Sequence, residues 1–538
     1  MKTQNIYKPL ITQEKVFARL DYLVFTILTI ISYVIFGYII TIWIATGDWF
    51  RNPFTFWLLA IIFLVKLAVN QLRWWLLPFM TKPLLLPPRS GWRVGVVTTF
   101  VPGAEPIQML EESVMAMMAM EYQHDTWVLD EGDDAEVKAL CSRLGALHFS
   151  RKNLPNYQTP DGTFQARSKH GNYNSWLDHI GFDQYDIIAA FDPDHIPKSN
   201  FLTEVMGYFD DAKVGYVQAA QVYYNQQASF IARGAAEETY PYYSSNQMFC
   251  YTMGHPIVTG CHNTHRASAL KQVGGFAAHD ADDLLITLLY RSSGWNGVYI
   301  PKILAHGLTP VDWDGYFNQQ LRWARSVLDV KFRIYPKLVG KLSYREKVVS
   351  FLHGFYYLQG ATNLILLLLL AYMLATGFFP QGLNYFISIN FLLSTAILIL
   401  CNFYRQRFFL DRKNEWGLHW RASLLQSAKY PYLILALCQV VLNRRFPYLI
   451  TSKVKGNPKT YKPFIPHLLV ATLICAAWIV GIINGHQLPL LLHIAAALTI
   501  IGTLALTATG YMTFPAPYNP TLFSSTARQR ASAEKLQV

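Results

Sequence analysis

The chain has 538 residues, of which 52% are hydrophobic and only 15% are charged, and its formal net charge is +12. This composition is too apolar for an ordinary soluble protein, and the apolar residues are concentrated in the first 80 residues and after about residue 350. We therefore predict one large soluble domain between two groups of membrane spans. The positive charge follows the membrane flanks, so nucleic acid is not needed to explain it.

Two membrane spans are predicted near the N-terminus. The stretch 23–45 is long enough to cross a hydrocarbon core of about 30 Å, and a second runs from Phe54 to about Val69. Basic residues precede the first span and follow the second, whereas only Arg51 lies between them. The positive-inside rule predicts that both basic flanks and the soluble domain are cytosolic, in a multi-pass protein of the inner (plasma) membrane.

Four further apolar stretches follow the soluble domain and predict spans at about 351–376, 384–403, 464–484 and 488–512. Another apolar stretch, 423–443, contains Lys429 and Pro431 and has basic residues on both sides. A central lysine costs roughly 2.5–3.5 kcal/mol on insertion scales. We therefore predict a helix in the cytosolic interface there, and about six transmembrane helices in all.

The soluble domain alternates strand and helix patterns. The segment "RVGVVTTFVPGAEP" predicts a buried strand that ends in a Pro-Gly loop, and "DTWVLDEGDD" repeats the design with acids after the strand. Such alternation predicts an α/β domain with a largely parallel sheet, in which ligands bind beyond the carboxyl ends of the strands. Asp130, Asp192 and Asp194 all fall at such ends. We expect these three acids to converge on one crevice.

Two later segments carry further candidate side chains. In 278–297, Asp282 and Asp283 precede an amphipathic helical pattern, where acids complement a helix N-terminus. A carboxylate in a crevice beside other acids and a metal can also act as a general base. The segment "FNQQLRWARS" is predicted to be an interfacial helix that carries Gln319, Gln320, Arg322 and Trp323.

These motifs, in this order, resemble those of the processive family 2 glycosyltransferases, the group of bacterial cellulose synthase, hyaluronan synthase and chitin synthase. The shared pattern is an Asp after an early strand, an Asp-x-Asp, a later Asp-Asp before a helix, and Gln-Gln-x-Arg-Trp. The resemblance covers roughly 90–460 and the flanking spans. It implies an α/β GT-A-type cytosolic domain that is inserted in an α-helical multi-spanning membrane domain.

The resemblance also implies the roles of the donor side. The donor-binding side chains would be Asp130 at the uracil or ribose, then Lys169, Asp192, Gln319 and Arg322 around the diphosphate. Asp192 and Asp194 would hold the diphosphate of a UDP-sugar through Mg²⁺ or Mn²⁺, because hard cations take carboxylate oxygens.

On the acceptor side, Asp283 would be the general base of an inverting transfer. Trp323 would stack on the acceptor sugar. Cellulose synthases carry Thr-Glu-Asp where this chain has Ala281-Asp282-Asp283, and their cysteine motif is replaced here by "VTGCHNTHR". We expect Asp282, Cys261 and His262 to lie at the acceptor, and these departures leave the linkage open.

A loop-like segment resembles the gating loop of cellulose synthase, whose pattern is Phe-x-Val-Thr-x-Lys. The corresponding residues here are Tyr448, Ile450, Thr451 and Lys453. This segment favours a processive enzyme over a non-processive one that glycosylates a lipid once. A transporter or channel is the third alternative, and it leaves the ordered acids unexplained.

The resulting prediction is a processive inverting synthase that extends a β-linked polysaccharide and translocates it through the bilayer. UDP-glucose is the expected donor, with β-1,3 or mixed linkage favoured slightly over plain cellulose, and an outer or periplasmic export partner is compatible with this prediction. The predicted divisions are 1–80 (two transmembrane helices), 90–311 (GT-A domain), 312–348 (interfacial helices), 349–403 (transmembrane helices three and four), 404–463 (interfacial helix and gating-like loop), 464–512 (transmembrane helices five and six) and 513–538 (cytosolic tail).

Overall fold

The computed structural model describes residues 11–383, 385–443, 459–516 and 518. The strands are β1 (Gln13–Lys15), β2 (Thr81–Pro83), β3 (Val94–Phe100), β4 (Asp125–Asp130), β5 (Leu147–Phe149), β6 (Ile187–Phe191), β7 (Ile196–Pro197), β8 (Val214–Tyr223), β9 (Asn263–Arg266) and β10 (Asn296–Gly307). β1 and β2 pair with each other, and the other eight strands form one sheet.

The helices fall into three groups along the chain. The first is α1 (Arg19–Ala45), α2 (Asp48–Arg51) and α3 (Pro53–Trp75). The soluble domain contains α4 (Ile107–Met118), α5 (Ala135–Leu144), α6 (Lys169–Trp176), α7 (Phe182–Gln184), α8 (Phe201–Met206), α9 (Phe230–Pro241), α10 (Gln247–Thr252), α11 (Ala267–Gln272), α12 (Asp282–Ser292), α13 (Trp313–Asp329) and α14 (Tyr335–Leu338). The last group is α15 (Tyr344–Leu352), α16 (Gln359–Thr376), α17 (Tyr385–Arg405), α18 (Arg412–Glu415), α19 (Trp420–Ala428), α20 (Tyr430–Val441), α21 (Ile465–Ile483) and α22 (Leu490–Thr509).

The large sheet has the order β5-β4-β3-β6-β9-β8-β10-β7. The first four strands are mutually parallel, as are β8 and β10, whereas β9 runs antiparallel to both of its neighbours and β7 is an antiparallel edge. Every residue of β6 is buried, as expected for a central strand covered on both faces. The predicted α/β domain with a largely parallel sheet is confirmed. Asp130 is the last residue of β4, and Asp192 directly follows β6.

Five helical segments of the described chain are long and apolar enough to cross a membrane: Arg19–Ala45, Pro53–Phe79, Tyr344–Thr376, Lys462–Ile483 and Leu490–Thr509. The pair α19 and α20, bent by 44°, passes the same test if it is counted as one span, which gives up to six. The approximate count of six agrees with the expectation, but the sixth candidate is the pair that the sequence predicted to be interfacial, and α17 is not among these segments. The expected span at 384–403 corresponds to α17, which packs against α1.

The predicted interfacial helix corresponds to the bent pair α19 and α20. The bend falls at Lys429, between the end of α19 and the start of α20, and Pro431 occupies the first turn of α20. A proline there removes a backbone donor, which favours a new helix start over continuation of the old helix. Placement of this pair in the membrane interface stays a prediction.

Candidate active site

One cavity of about 2310 Å³ begins at the carboxyl ends of the central strands and continues between the membrane helices. It is lined by nine of the candidate side chains that the sequence singled out: Lys169, Asp192, Asp194, Asp282, Asp283, Gln319, Gln320, Arg322 and Trp323. These residues come from four separate motifs. The fold therefore brings the Asp-x-Asp, the later Asp-Asp and the Gln-Gln-x-Arg-Trp helix to one site.

The Asp-x-Asp motif forms a compact group of oxygen and nitrogen ligands. Asp192, Asp194 and His195 each present one ligand atom, and these atoms lie within 4.8 Å of one another. Asp194 and His195 are 6% and 3% exposed, so their positions are set by the surrounding protein. The Nε2 atom of His195 lies 3.2 Å from Nε2 of Gln221. Two carboxylates and an imidazole at this separation fit a divalent ion such as Mg²⁺ or Mn²⁺.

Lys169 is positioned at the start of α6 and compensates the charge of Asp192. Its Nζ atom is 2.5 Å from Oδ1 of Asp192 and donates to the carbonyl oxygen of Gly260 at 2.8 Å. Burial lowers the pKa of the Lys169 ammonium, but the nearby charges of Asp192 and Asp282 raise it well above its ordinary value. Lys169 is therefore a fixed positive charge beside Asp192, where a diphosphate would compete for it.

Asp282 and Asp283 form the first turn of α12. Burial raises the pKa of Asp283 to about 7, and the negative charge of Asp282 adds to this effect. The Leu284 backbone N–H donates to Oδ1 of Asp283 at 2.7 Å and holds the carboxylate in place. Burial also raises the pKa of Asp282, against the charge of Lys169, which lowers it. A carboxylate whose pKa is about 7 suits a general base at neutral pH.

The helix α13 presents the Gln-Gln-x-Arg-Trp motif. Its N-terminus is capped by Asp312, whose carboxylate accepts a hydrogen bond from the Gly315 N–H at 2.7 Å. Gln319, Arg322 and Trp323 line the cavity at spacings of three and four residues, which places them on one face of the helix. The motif can therefore contact one ligand with an amide, a guanidinium and an aromatic ring.

Asp130 is fully buried and shapes the loop that follows β4. Its carboxylate accepts hydrogen bonds from the backbone N–H groups of Gly132 and Asp134, at 2.8 and 2.5 Å, and lies 3.2 Å from Nε2 of His148. Among these residues and their neighbours, Glu131 and Gly132 line the cavity, and Asp130 does not. Contact of Asp130 with a nucleobase or ribose stays a prediction, and this placement assigns it a positioning role in the loop.

Cys261 and His262 are buried directly before β9 and do not line the cavity, so their contact with an acceptor stays a prediction. They are 1% and 0% exposed. The Cys261 sulfur accepts the Asp192 backbone N–H at 3.2 Å, and the His262 imidazole lies 3.1 Å from the Ala220 carbonyl oxygen. His262 has a φ of 57°, so the backbone turns here just before β9 begins. The segment reaches the cavity through the preceding residues Thr259 and Gly260.

Sequence reasoning missed two features of the site. His195, which joins the Asp-x-Asp group, follows directly after that motif, so its position was a usable signal. The second is a buried ion pair in the cavity wall, in which the Lys429 Nζ atom lies 2.9 Å from Oε1 of Glu238 on α9. The same ammonium donates to Oε1 of Gln320 at 2.9 Å. No local pattern joins residues so far apart in the chain.

The gating-like loop lies outside the described residues. Its predicted residues are Tyr448, Ile450, Thr451 and Lys453. Its role stays a prediction. The predicted domain divisions are likewise untested and stay predictions.

Comparison with known proteins identifies the family of the soluble domain. The family model "Glycosyltransferase like family 2" matches residues 95–326. Residues 95–326 form a glycosyltransferase family 2 domain. The mixed sheet and covering helices of this domain are of the GT-A type.

Curated proteins that are similar to this chain include cellulose synthases. The UDP-forming cellulose synthase catalytic subunit of Xanthomonas axonopodis pv. citri is 28% identical over 56% of this chain and 40% of its own length. Cellulose synthase 2 of Novacetimonas hansenii is 23% identical over 77% of this chain and 25% of its own length. The chain thus spans less than half of the length of these relatives.

Among solved structures, the mannosyltransferase PcManGT from Pyrobaculum calidifontis, in complex with GDP-Man and Mn²⁺, aligns with 78% of this chain and 99% of that chain. The sequence identity is 16% and the TM-score is 0.45. That score is too low to carry an argument about the donor.

Proposed function

We propose that the protein is a processive inverting glycosyltransferase, which transfers a hexose from a UDP-sugar and extends a β-linked polysaccharide. The convergence of the Asp-x-Asp group, the base candidate Asp283 and the face of α13 on one cavity carries this proposal. The cellulose synthase relatives support it. We favour UDP-glucose as donor, and β-1,3 or mixed linkage as product.

In the proposed reaction, Asp192 and Asp194, with His195 beside them, hold a divalent cation. Such an ion neutralises the negative charge of the leaving diphosphate. Lys169 and Arg322 bind diphosphate oxygens with fixed positive charge. The residues thereby orient the donor with its anomeric carbon toward the acceptor side of the cavity.

Asp283 takes the proton of the acceptor hydroxyl through its carboxylate oxygen. The acceptor oxygen then forms a bond to the anomeric carbon as the bond to the diphosphate oxygen breaks on the opposite face, which inverts the configuration. The Trp323 ring provides a surface on which the acceptor sugar stacks. Removal of water by the surrounding walls strengthens these electrostatic contacts.

Translocation is proposed because the cavity extends from the catalytic groups to the membrane helices. Its membrane end is lined by residues of α3, α16 and α17, including Asn70, Thr362 and Asn402. Amide and hydroxyl groups there can bind sugar hydroxyls along a path for the product. The basic flanks of the first two spans favour a cytosolic catalytic domain in the inner membrane, and an export partner on the far side fits this orientation.

A second candidate is a non-processive enzyme that makes a glycolipid. Val65, Trp75 and Ile399 line the cavity and are also 44%, 46% and 39% exposed on the membrane helices. The cavity therefore has an apolar border, past which a lipid acceptor could enter from the bilayer.

Donor-dependent release of UDP from purified, detergent-solubilised protein tests the proposal. Each UDP-sugar is supplied with Mg²⁺ or Mn²⁺, and the product is digested with linkage-specific glycosidases. Asp283→Asn should abolish release and Asp194→Asn should weaken it at limiting metal concentration, while Asp280→Asn, which removes the same charge just before α12, should retain it. A digestible high-molecular-weight product supports the synthase, and a product of one sugar on a lipid supports the second candidate. No release by folded protein with any donor contradicts both.

A further inference from the structure

Three cationic side chains line the part of the cavity that lies between the membrane helices. Lys66 and Arg73 lie on α3, and Arg405 is the last residue of α17. Lys66 and Arg73 are seven residues apart, which places them on one helix face, about 10 Å apart along its axis. Basic residues near the cytosolic end of a span usually extend toward lipid headgroups. These three line the interior cavity instead.

None of the three cations forms a salt bridge with an acid among the described residues, although the charge of Glu238 attracts Arg73 over a longer distance. The Lys66 Nζ atom donates to Oδ1 of Asn363 at 2.8 Å, and Nη2 of Arg405 donates to Oδ1 of Asn402 at 2.6 Å. The Nε atom of Arg405 is buried and has no hydrogen-bond partner in the part of the chain that the structure describes. Both partners are neutral amides, so no direct contact with an acid neutralises Lys66 or Arg405.

The acids on α9 that line the same cavity are already paired. Glu237 lies 3.3 Å from Arg233 and 3.4 Å from Arg421, and Glu238 lies 2.9 Å from Lys429. Neither acid forms a salt bridge with Lys66, Arg73 or Arg405, so the membrane end of the cavity carries an excess of positive charge. Unpaired charge within a membrane domain is unfavourable, and where it is retained it usually marks the path of a charged substrate.

We infer that Lys66, Arg73 and Arg405 bind anionic groups, carboxylate or phosphate, that are carried by the glycan as it leaves the catalytic end. This inference rests on the proposed transfer reaction for the origin of the glycan, and it requires that part of the glycan come from a donor with an acidic group, such as a UDP-uronic acid, in place of UDP-glucose alone. The neighbouring walls favour a glycan over a lipid because they carry hydrogen-bonding groups suited to sugar hydroxyls, from Asn70, Gln359, Thr362, Asn402 and Gln426.

Binding of two oligosaccharides of equal length tests the inference without requiring turnover. One is a neutral β-1,4-glucan oligosaccharide, and the other is the same backbone oxidised to carboxylate at C6. Both are titrated onto full-length Asp283→Asn protein in nanodiscs of phosphatidylcholine, and binding is followed by microscale thermophoresis. We expect the acidic chain to bind at least about tenfold more tightly, the equivalent of one charge-assisted contact, and the preference to weaken with added salt.

Charge variants then locate the site. The triple change Lys66→Gln, Arg73→Gln and Arg405→Gln should remove the preference, and the pair Arg73→Lys and Arg405→Lys should keep it because the charge remains. A second control removes as many charges from the exposed surface of the soluble domain and its flank, through Arg89→Gln, Lys337→Gln and Lys341→Gln. This control should bind like the parent protein.

Two outcomes would overturn the inference: equal affinity for the two oligosaccharides, or a preference that survives the triple change in folded protein. A different result would also overturn it: the parent protein co-purifies with an anionic lipid that the triple variant loses, and the parent shows no preference for the acidic oligosaccharide. That result would assign the three cations to a lipid phosphate. UDP release is measured separately on the parent protein. Failure of the binding preference with active enzyme therefore refutes this inference alone, and absent release with intact preference refutes only the proposed reaction.

Discussion

The raised pKa of Asp283 predicts how activity depends on pH and how a neighbour sets that dependence. Its pKa moves from an ordinary value of 3.8 to about 7, chiefly through burial and next through the charge of Asp282. The like charge of Asp282 favours the neutral form of Asp283, so its removal in Asp282→Asn should lower the pKa of Asp283 below about 7.

The direction of the pH dependence of kcat/KM follows from the role of Asp283 as a general base. A general base works in its ionised form, so kcat/KM should fall as the pH drops through about 7 in the wild type and at a lower pH in Asp282→Asn. At pH 6 the ionised fraction of Asp283 is about one tenth in the wild type, so activity relative to the plateau of each protein should be higher in Asp282→Asn. The plateau itself is not the test, because Asp282 also lines the cavity.

The assay is the pH profile of kcat/KM for UDP release. Asp280→Asn is the matched control, because its carboxylate is 38% exposed and pairs with Arg325, outside the Asp282–Asp283 pair. We expect its midpoint to equal that of the wild type. If the acid limb of Asp282→Asn keeps the wild-type midpoint or moves to higher pH, the charge of Asp282 does not raise the pKa of the catalytic base.

Three further predictions concern the metal, the acceptor and the cavity wall. Asp194→Asn should raise the Mn²⁺ concentration for half-maximal UDP release by at least about tenfold, and an unchanged Mn²⁺ dependence would remove Asp194 from the metal site. Trp323→Ala should raise the KM for an oligosaccharide acceptor by about tenfold with little effect on the donor, and equal effects on both would contradict stacking. Lys429→Met should destabilise the protein by about 3–5 kcal/mol, because it leaves the Glu238 carboxylate buried, and adding Glu238→Gln should restore most of the melting temperature. Equal melting temperatures for the single and double variants would refute that coupling.

The position of Asp130 and Asp192 at one edge of the sheet was predictable from the sequence. Asp130 ends one short apolar strand and Asp192 directly follows another, and parallel strands bring their carboxyl ends to the same edge. The structure confirms this edge. It also turns the Asp130 carboxylate into the loop, because two backbone N–H groups there need an acceptor. Such a contact depends on the conformation of the loop, which residue types alone do not specify.

The placement of Cys261 and His262 was not predictable. Both immediately precede a four-residue strand, and a shift of one residue in the pairing of a strand exchanges its two faces. The pairing of β9 with β6 and β8 begins at Asn263, directly after these two residues, and both side chains are buried. No alternation of apolar and polar residues in so short a segment indicates which side faces the cavity.

The sequence by itself determined the features that depend on neighbours along the chain: the apolar spans, the strand ends that carry acids, and the helix that carries Arg322 and Trp323. Tertiary structure alone decided which charges are paired. Lys429 was predicted to disfavour a span, yet it meets Glu238, 191 residues away, whereas Lys66 and Arg405 meet only amides. The physical reason is that a buried charge is stabilised by whatever the fold brings within a few ångströms, and sequence distance has no bearing on that separation.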